Sequence, residues 1–183
     1  MAALAGACSS GSHHVSSTST TAGVNPAVVP AVITPAYVDS VFVALNHVAG
    51  NATRALVASH LVSSQVVADL RAIFNDPLFQ DQLTSARAAL TTGGLSNVVQ
   101  DPGDSVTSVK QVVSATPSCV FVQVWTDFSA VDVHPPSSPA VDYVELRLKP
   151  ARDDPAHLND TPWAISAEQV STTPATVSST CGH

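Results

Sequence analysis

The chain has 183 residues, which suffices for one domain with short tails, and hydrophobic residues make up 45% of it, enough for a core. Only 11% of the residues are charged, the formal net charge is −7, and the seven lysines and arginines are scattered singly. This distribution excludes the cationic surface that binding to nucleic acid or to anionic lipid requires. No apolar stretch approaches the roughly 20 residues that cross a bilayer.

Near the N-terminus, the small residues 5–7 precede Cys8, and a Ser/Gly-rich stretch follows it. This arrangement resembles a bacterial lipoprotein processing site, at which the cysteine thiol receives a diacylglyceryl group. The resemblance implies an exported protein that a lipid on Cys8 anchors to the cell membrane, with residues 1–8 as the remnant of a signal peptide. Because the charged and apolar parts of such a peptide are missing, we expect the natural start to lie upstream. A cytosolic protein with an Ala/Gly-rich terminus is the alternative.

Residues 9–34 are rich in Ser and Thr and then in spaced Pro, which is typical of a tether that is flexible at first and then extended. His13 and His14 lie within it, but two adjacent histidines in a flexible segment make a weak metal site. We predict no metal at this pair, and no cofactor is predicted for the chain. The folded domain is expected over residues 35–171, and a C-terminal tail over 172–183.

Helices are predicted in the first half of the domain. Thr34 can cap a helix that begins at Pro35, and apolar residues then recur at the spacing of one buried helical face. Gly50 and Asn51 are expected to break or bend this helix. The remaining helix boundaries are predicted at Ser64, Asp76-Pro77 and Gly93-Gly94.

From about residue 105 the apolar period changes to two, which is typical of strands. The strands are predicted at 106–114, 119–131, 141–149 and 163–170. The second has two apolar faces, which indicates a central strand that is covered on both sides or lines a cavity. The fourth is expected to place Trp163, Ile165 and Ala167 on one face. The predicted class is α+β, with N-terminal helices packed on a curved antiparallel sheet of about four strands and disordered N- and C-terminal tails.

Two cysteines, Cys119 and Cys181, remain once Cys8 is assigned to the lipid. Leftover thiols in an exported protein usually pair, so we predict a Cys119–Cys181 disulfide that ties the tail to the sheet. No Cys-x-x-Cys or Cys/His cluster surrounds either residue, which disfavours a metal site. A catalytic Cys119 is disfavoured because an apolar strand follows it directly.

The order of helices followed by a strand meander resembles the cone-shaped α+β fold of nuclear-transport-factor-2-like proteins. The segments 117–124, 142–147 and 162–165 also resemble uncharacterised secreted lipoproteins of high-GC actinobacteria. The resemblance covers residues 35–170 and implies a cavity between the sheet and the helices. It implies no particular reaction, since this fold carries both enzymes and non-catalytic modules.

Residues that could carry chemistry are few. The nucleophile-elbow, dinucleotide-binding, P-loop and zinc-protease motifs are absent, so no catalytic residue is predicted. A possible pocket is formed by Asp127, Trp125 and Phe121, in which the carboxylate would act as a general base. The favoured interpretation is that Asp127 faces water at the end of its strand. Asp153 and Asp154 are interpreted as solvated loop charges.

Two functions are compatible with these features. The favoured one is a non-catalytic cell-envelope module that binds a partner protein or a small apolar ligand, without nucleic acid and with a lipid as its only membrane contact. The alternative is an isomerase or cyclase of the cone fold that acts on a hydrophobic small molecule. A deep pocket with a buried ionisable residue would favour the enzyme.

Overall fold

The computed structural model describes residues 24–138, 140–170 and 181. Within them, three α-helices precede four β-strands, in the order that the sequence predicts. The helices are α1 (Pro35–Ser59), α2 (Ser64–Ile73) and α3 (Leu78–Thr92). The strands are β1 (Val106–Thr116), β2 (Cys119–Asp127), β3 (Ala140–Leu148) and β4 (Trp163–Val170).

The four strands form one antiparallel sheet in the order β1-β2-β3-β4. Side chains of all three helices share one hydrophobic core with the inward residues of β2, β3 and β4. The predicted α+β class, with helices packed on an antiparallel sheet of about four strands, is therefore confirmed. Among the described helices, none combines the length and the hydropathy that a membrane span requires.

The segment before α1 belongs to the packed structure. The sequence predicts that residues 24–34 belong to the tether, but three of their side chains pack against the core. These side chains are Val24, Val29 and Ile33. The remainder of the predicted tether and the predicted C-terminal tail, apart from Cys181, lie outside the described residues.

The core holds Trp163 at the start of β4, which is the largest of its fully buried side chains. The indole N–H of Trp163 donates a hydrogen bond to the hydroxyl of Tyr37 at 2.8 Å, so a buried polar group is satisfied and β4 is joined to the first turn of α1. Thr34 fixes the same turn, because its side chain accepts a hydrogen bond from the backbone N–H of Tyr37 at 3.2 Å.

Helix α1 is longer than the sequence predicts. The expected break at Gly50 and Asn51 is wrong, because the helix continues without interruption to Ser59. Gly50 is explained by space instead: a Cβ atom there would collide with the carboxylate of Asp104, which the guanidinium of Arg54 holds at 2.9 Å. The glycine marks a close approach between α1 and the segment before β1.

A β-bulge in β4 changes which of its side chains face the helices. Leu146 pairs with Ile165 and Glu145 pairs with Ala167, so Ser166 is an extra residue on β4. The prediction that Ala167 shares a face with Ile165 is therefore wrong, because the extra residue reverses the alternation between them. Ala167 pairs with Glu145 on the opposite face, and Glu168 pairs with Val144 on the face of the helices.

The chain after α2 holds this bulge in place. The backbone N–H of Asn75 donates to the carbonyl of Ile165 at 2.9 Å. The side-chain amide of Asn75 donates to the hydroxyl of Ser166, also at 2.9 Å. Both residues at the bulge are thus bound to the helical layer. These contacts fix the register of the last residues of β4 against β3.

The loop between β3 and β4 folds around a buried ion pair. Asp154 is 3% exposed and forms a salt bridge with the ammonium of Lys149, whose side chain is also buried. Its carboxylate also accepts the backbone N–H groups of Leu158 at 2.8 Å and Asn159 at 3.1 Å. The prediction that Asp153 and Asp154 are solvated charges is wrong for Asp154, because these donors compensate for its burial.

Candidate functional site

A cavity of about 180 Å³ lies between the helices and the sheet, at one end of the sheet. In an antiparallel meander, the first residues of β1 and β3 meet the last residues of β2 and β4 at the same end. The polar strand residues that line the cavity come from these four ends. They are Thr107, Thr126, Asp142 and Glu168. The topology therefore gathers at one place residues that lie far apart in the sequence.

The wall of the cavity is mostly apolar and contains a small polar part. The apolar lining residues are Phe42, Leu45, Ala49, Ile73, Phe74, Val124, Phe128, Val144 and Ile165. The neutral polar lining residues are Asn46, Ser105, Thr107 and Thr126. An apolar wall with a few polar groups is the usual composition of a small-molecule site.

The neutral polar groups of the wall are occupied largely with one another. The side-chain amide of Asn46 donates to the hydroxyl of Thr107 at 3.0 Å, which joins α1 to β1. The hydroxyls of Thr107 and Thr126 lie 3.3 Å apart across β1 and β2. This network satisfies the buried hydroxyl of Thr107, so the two carboxylates are the groups of the described wall that carry charge.

Asp142 and Glu168 face the cavity from neighbouring strands. Asp142 lies two residues before Val144, so both side chains point to the helix-facing side of β3. Glu168 pairs directly with Val144 and is therefore a diagonal neighbour of Asp142. Such neighbours lie about 7–8 Å apart, within reach of long side chains. Glu168 reaches this face only because of the bulge at Ser166.

The electrostatics of the pair follow from its surroundings. Burial raises the pKa of Asp142 above its ordinary value. Burial first, and then the charge of Asp142, raise the pKa of Glu168, although its side chain is reached by solvent at the cavity. Within the described residues, Oδ1 of Asp142 is buried without a hydrogen-bond partner, and neither carboxylate forms a salt bridge. The cavity thus contains negative charge that no described cation balances.

The residues of the predicted pocket lie elsewhere. Phe121 is buried on the other face of the sheet, where its ring stacks on Tyr143 with centroids 5.7 Å apart. Trp125 is 41% exposed, and the ammonium of Lys110 lies over its ring. Asp127 is exposed at the end of β2, where it accepts a hydrogen bond from the backbone of Ser129, so the favoured interpretation that it faces water is the one the structure supports. None of the three predicted residues lines the cavity.

The signals for the two cavity acids differ. The alternation that places Val144 and Leu146 inward also places Asp142 inward, so a stricter reading of period two finds it. The sequence carries no comparable signal for Glu168. The face of the sheet on which Glu168 lies is set by the bulge, and the bulge depends on contacts with a distant part of the chain.

A second cluster joins Cys119, Cys181 and Glu145. The two cysteines are at disulfide distance, with their Cα atoms 5.4 Å apart, in agreement with the predicted pairing. The carboxylate of Glu145 lies within 4.8 Å of both sulfurs and forms a salt bridge with Arg147 at 2.8 Å. Disulfide sulfurs are not thiolates, so this cluster offers no good metal site. Cys8 lies outside the described residues.

No protein-family model, curated protein or solved structure matches this chain. The proposals for its function therefore depend on the cavity and its two carboxylates.

Proposed function

We propose that this chain is a non-catalytic cell-envelope module that binds a small, largely apolar ligand in the cavity between the helices and the sheet. The observation that carries the proposal is the cavity itself, which is partly open and combines a largely apolar wall with a few polar groups, the usual composition of a small-molecule site. A ligand is favoured over a partner protein as the occupant, because many of the lining residues belong to the core between the helices and the sheet.

The size of the cavity limits the ligand. Its volume is about 180 Å³, and a cavity of about 150 Å³ lined by aliphatic and aromatic residues holds a benzene ring. The expected ligand is therefore equivalent to one ring with a short substituent. The rings of Phe42, Phe74 and Phe128 supply aromatic surface against which such a ligand can pack.

Benzyl alcohol is a suitable neutral probe for this site. We expect calorimetry to give a Kd of about 1 mM or tighter, which is within reach of a ligand of about eight non-hydrogen atoms. Ala49→Leu adds three carbons to the wall and should weaken binding at least about tenfold.

Ala58→Leu is the matched control, because Ala58 lies exposed on the same helix and outside the cavity. It should bind the probe as the wild type does. The proposal would be contradicted if the folded wild type does not bind the probe, or if both variants weaken binding equally. A partner protein would then be the favoured occupant.

We further propose that the module is exported and anchored through a lipid on Cys8. The disulfide geometry of Cys119 and Cys181 supports an oxidising compartment, since such bridges are rare in the cytosol. Intact-mass analysis of protein extracted with detergent from its native host should show a diacylglyceryl addition that Cys8→Ser removes. An unmodified cysteine in membrane-extracted protein would contradict the anchor.

The carboxylate pair supports a second candidate function, an isomerase or cyclase acting on a hydrophobic small molecule. Burial raises the pKa of both carboxyls, which is a property of groups that exchange protons with a substrate. In such an enzyme, Asp142 would be the base, because its Oδ1 atom has no partner among the described residues. The enzyme would be favoured if Asp142→Asn abolishes turnover but still binds the ligand. The control Asp127→Asn should keep its turnover.

A further inference from the structure

The cavity has a polar end with an unusual charge balance. Among the described lining residues, those that carry charge are Asp142 and Glu168, and both are acids. The helices that close the cavity contribute apolar groups and the amide of Asn46, so no lining group on α1 or α2 offsets the two carboxylates. Water reaches Glu168, whereas Oδ1 of Asp142 is buried and lacks a hydrogen bond.

This arrangement costs stability when the site is empty. A buried carboxylate oxygen without a donor loses the hydrogen bonds it would make to water, and two acids on adjacent strands repel each other. The fold nevertheless adds a bulge that turns Glu168 toward Asp142, and Asn75 secures that bulge through Ser166. A site that is unfavourable alone and built by specific contacts is expected to be completed by a ligand.

We propose that the ligand of this cavity is a small amine, whose ammonium group lies between Asp142 and Glu168 and whose apolar part packs against the phenylalanine rings. This inference rests on the proposed ligand-binding function and specifies its ligand class. An ammonium carries three N–H donors, so it supplies the hydrogen bond that Oδ1 of Asp142 lacks. It also supplies the positive charge that balances the two carboxylates.

The wall fits an amine better than it fits a metal ion. Calcium takes about six to eight oxygen ligands, and magnesium takes about six in a near-octahedral set. The described wall offers two carboxylates, and its neighbouring hydroxyls are hydrogen-bonded to one another. The large apolar part of the wall would also stay unoccupied by a bare ion, whereas an arylalkyl amine uses both parts.

Three probes of nearly equal shape test the proposal on the full chain at pH 7. Benzylamine is a cation, benzyl alcohol its neutral analogue, and benzoate an anion. We expect calorimetry to show benzylamine binding at least about tenfold more tightly than benzyl alcohol, because hydrogen bonds between two charged groups are stronger than those from a neutral donor. Benzoate should bind more weakly than either, because two carboxylates repel it.

Neutral variants locate the preference. Asp142→Asn and Glu168→Gln should each reduce the preference for the amine about tenfold while benzyl alcohol binds as before. Both variants should stay folded, since Glu168 is exposed and each replacement keeps the shape of the side chain. Asp127→Asn, an exposed acid outside the cavity, should change nothing. For the wild type, amine affinity should fall as acid protonates the pair, whereas alcohol affinity should not.

The outcomes separate this inference from the function on which it rests. Equal affinity for the amine and the alcohol, or a preference that survives both neutral variants, would overturn the amine but keep a cavity that binds ligands. Calcium or magnesium chloride binding that depends on both acids, without amine binding, would also overturn it. Failure of all three organic probes would remove the ligand-binding function itself.

Discussion

Replacement of Asp154 by alanine is expected to lower the free energy of unfolding by about 3–5 kcal/mol, the usual cost of leaving a buried charge unpaired. Asp154 is 3% exposed, and its partner Lys149 is buried beside it. The substitution leaves the ammonium without its carboxylate and also frees the N–H groups of Leu158 and Asn159. Urea denaturation of both proteins measures the loss.

A control lies in the same loop. Asp160 is exposed, so Asp160→Ala should change the free energy of unfolding by no more than about 0.5 kcal/mol. If Asp154→Ala costs as little as this control, the buried pair does not hold the loop in solution.

The same site predicts a pH dependence. Burial is the largest influence on Asp154 and acts to raise its pKa, but the ammonium of Lys149 and two backbone N–H groups together outweigh it, so the pKa lies below its ordinary value. The resulting stabilisation is present at pH above the unfolded value of about 3.9 and is lost as the pH falls through the folded value. The stability difference between the wild type and Asp154→Asn should therefore persist from pH 7 to about 5 and shrink in stronger acid.

The fold class could be predicted because its signals are local. The change of apolar period near residue 105, the cap at Thr34 and the stop at Gly93, which adopts φ 75°, each follow from short stretches of chain. The inward strand residues Val120, Val122 and Val124 follow from alternation alone, and all three are in the core.

The candidate site could be predicted only in part, because its decisive features are contacts between distant segments. The sequence predicts that Gly50 breaks the helix, because it does not show that Asp104 occupies the space beside this residue. The sequence predicts that Asp154 is a solvated loop charge, because it does not show the salt bridge with Lys149. Glu168 reads as an outward residue, because a single extra residue in β4 reverses its direction. None of these contacts leaves a periodic trace in the sequence.

Loss of the Cys119–Cys181 bridge is expected to lower the free energy of unfolding by about 4 kcal/mol. The two residues are 62 positions apart in the sequence, and a cross-link across so long a loop restricts the unfolded chain strongly. Cys119 is buried at the start of β2. The bridge therefore connects Cys181 to a central strand of the sheet.

Denaturation with and without a thiol reductant measures this contribution. The wild type should lose about 4 kcal/mol on reduction, and Cys181→Ser should show that loss already and no longer respond to reductant. Cys8→Ser should respond as the wild type does, since its thiol takes no part in the bridge. Cys119→Ser should be at least as unstable as Cys181→Ser, because it also places a hydroxyl in a site that is 5% exposed. If Cys181→Ser is as stable as the oxidised wild type, the prediction is wrong. The sheet is then stable without the bridge, and a cost in the folded protein offsets the restriction of the unfolded chain.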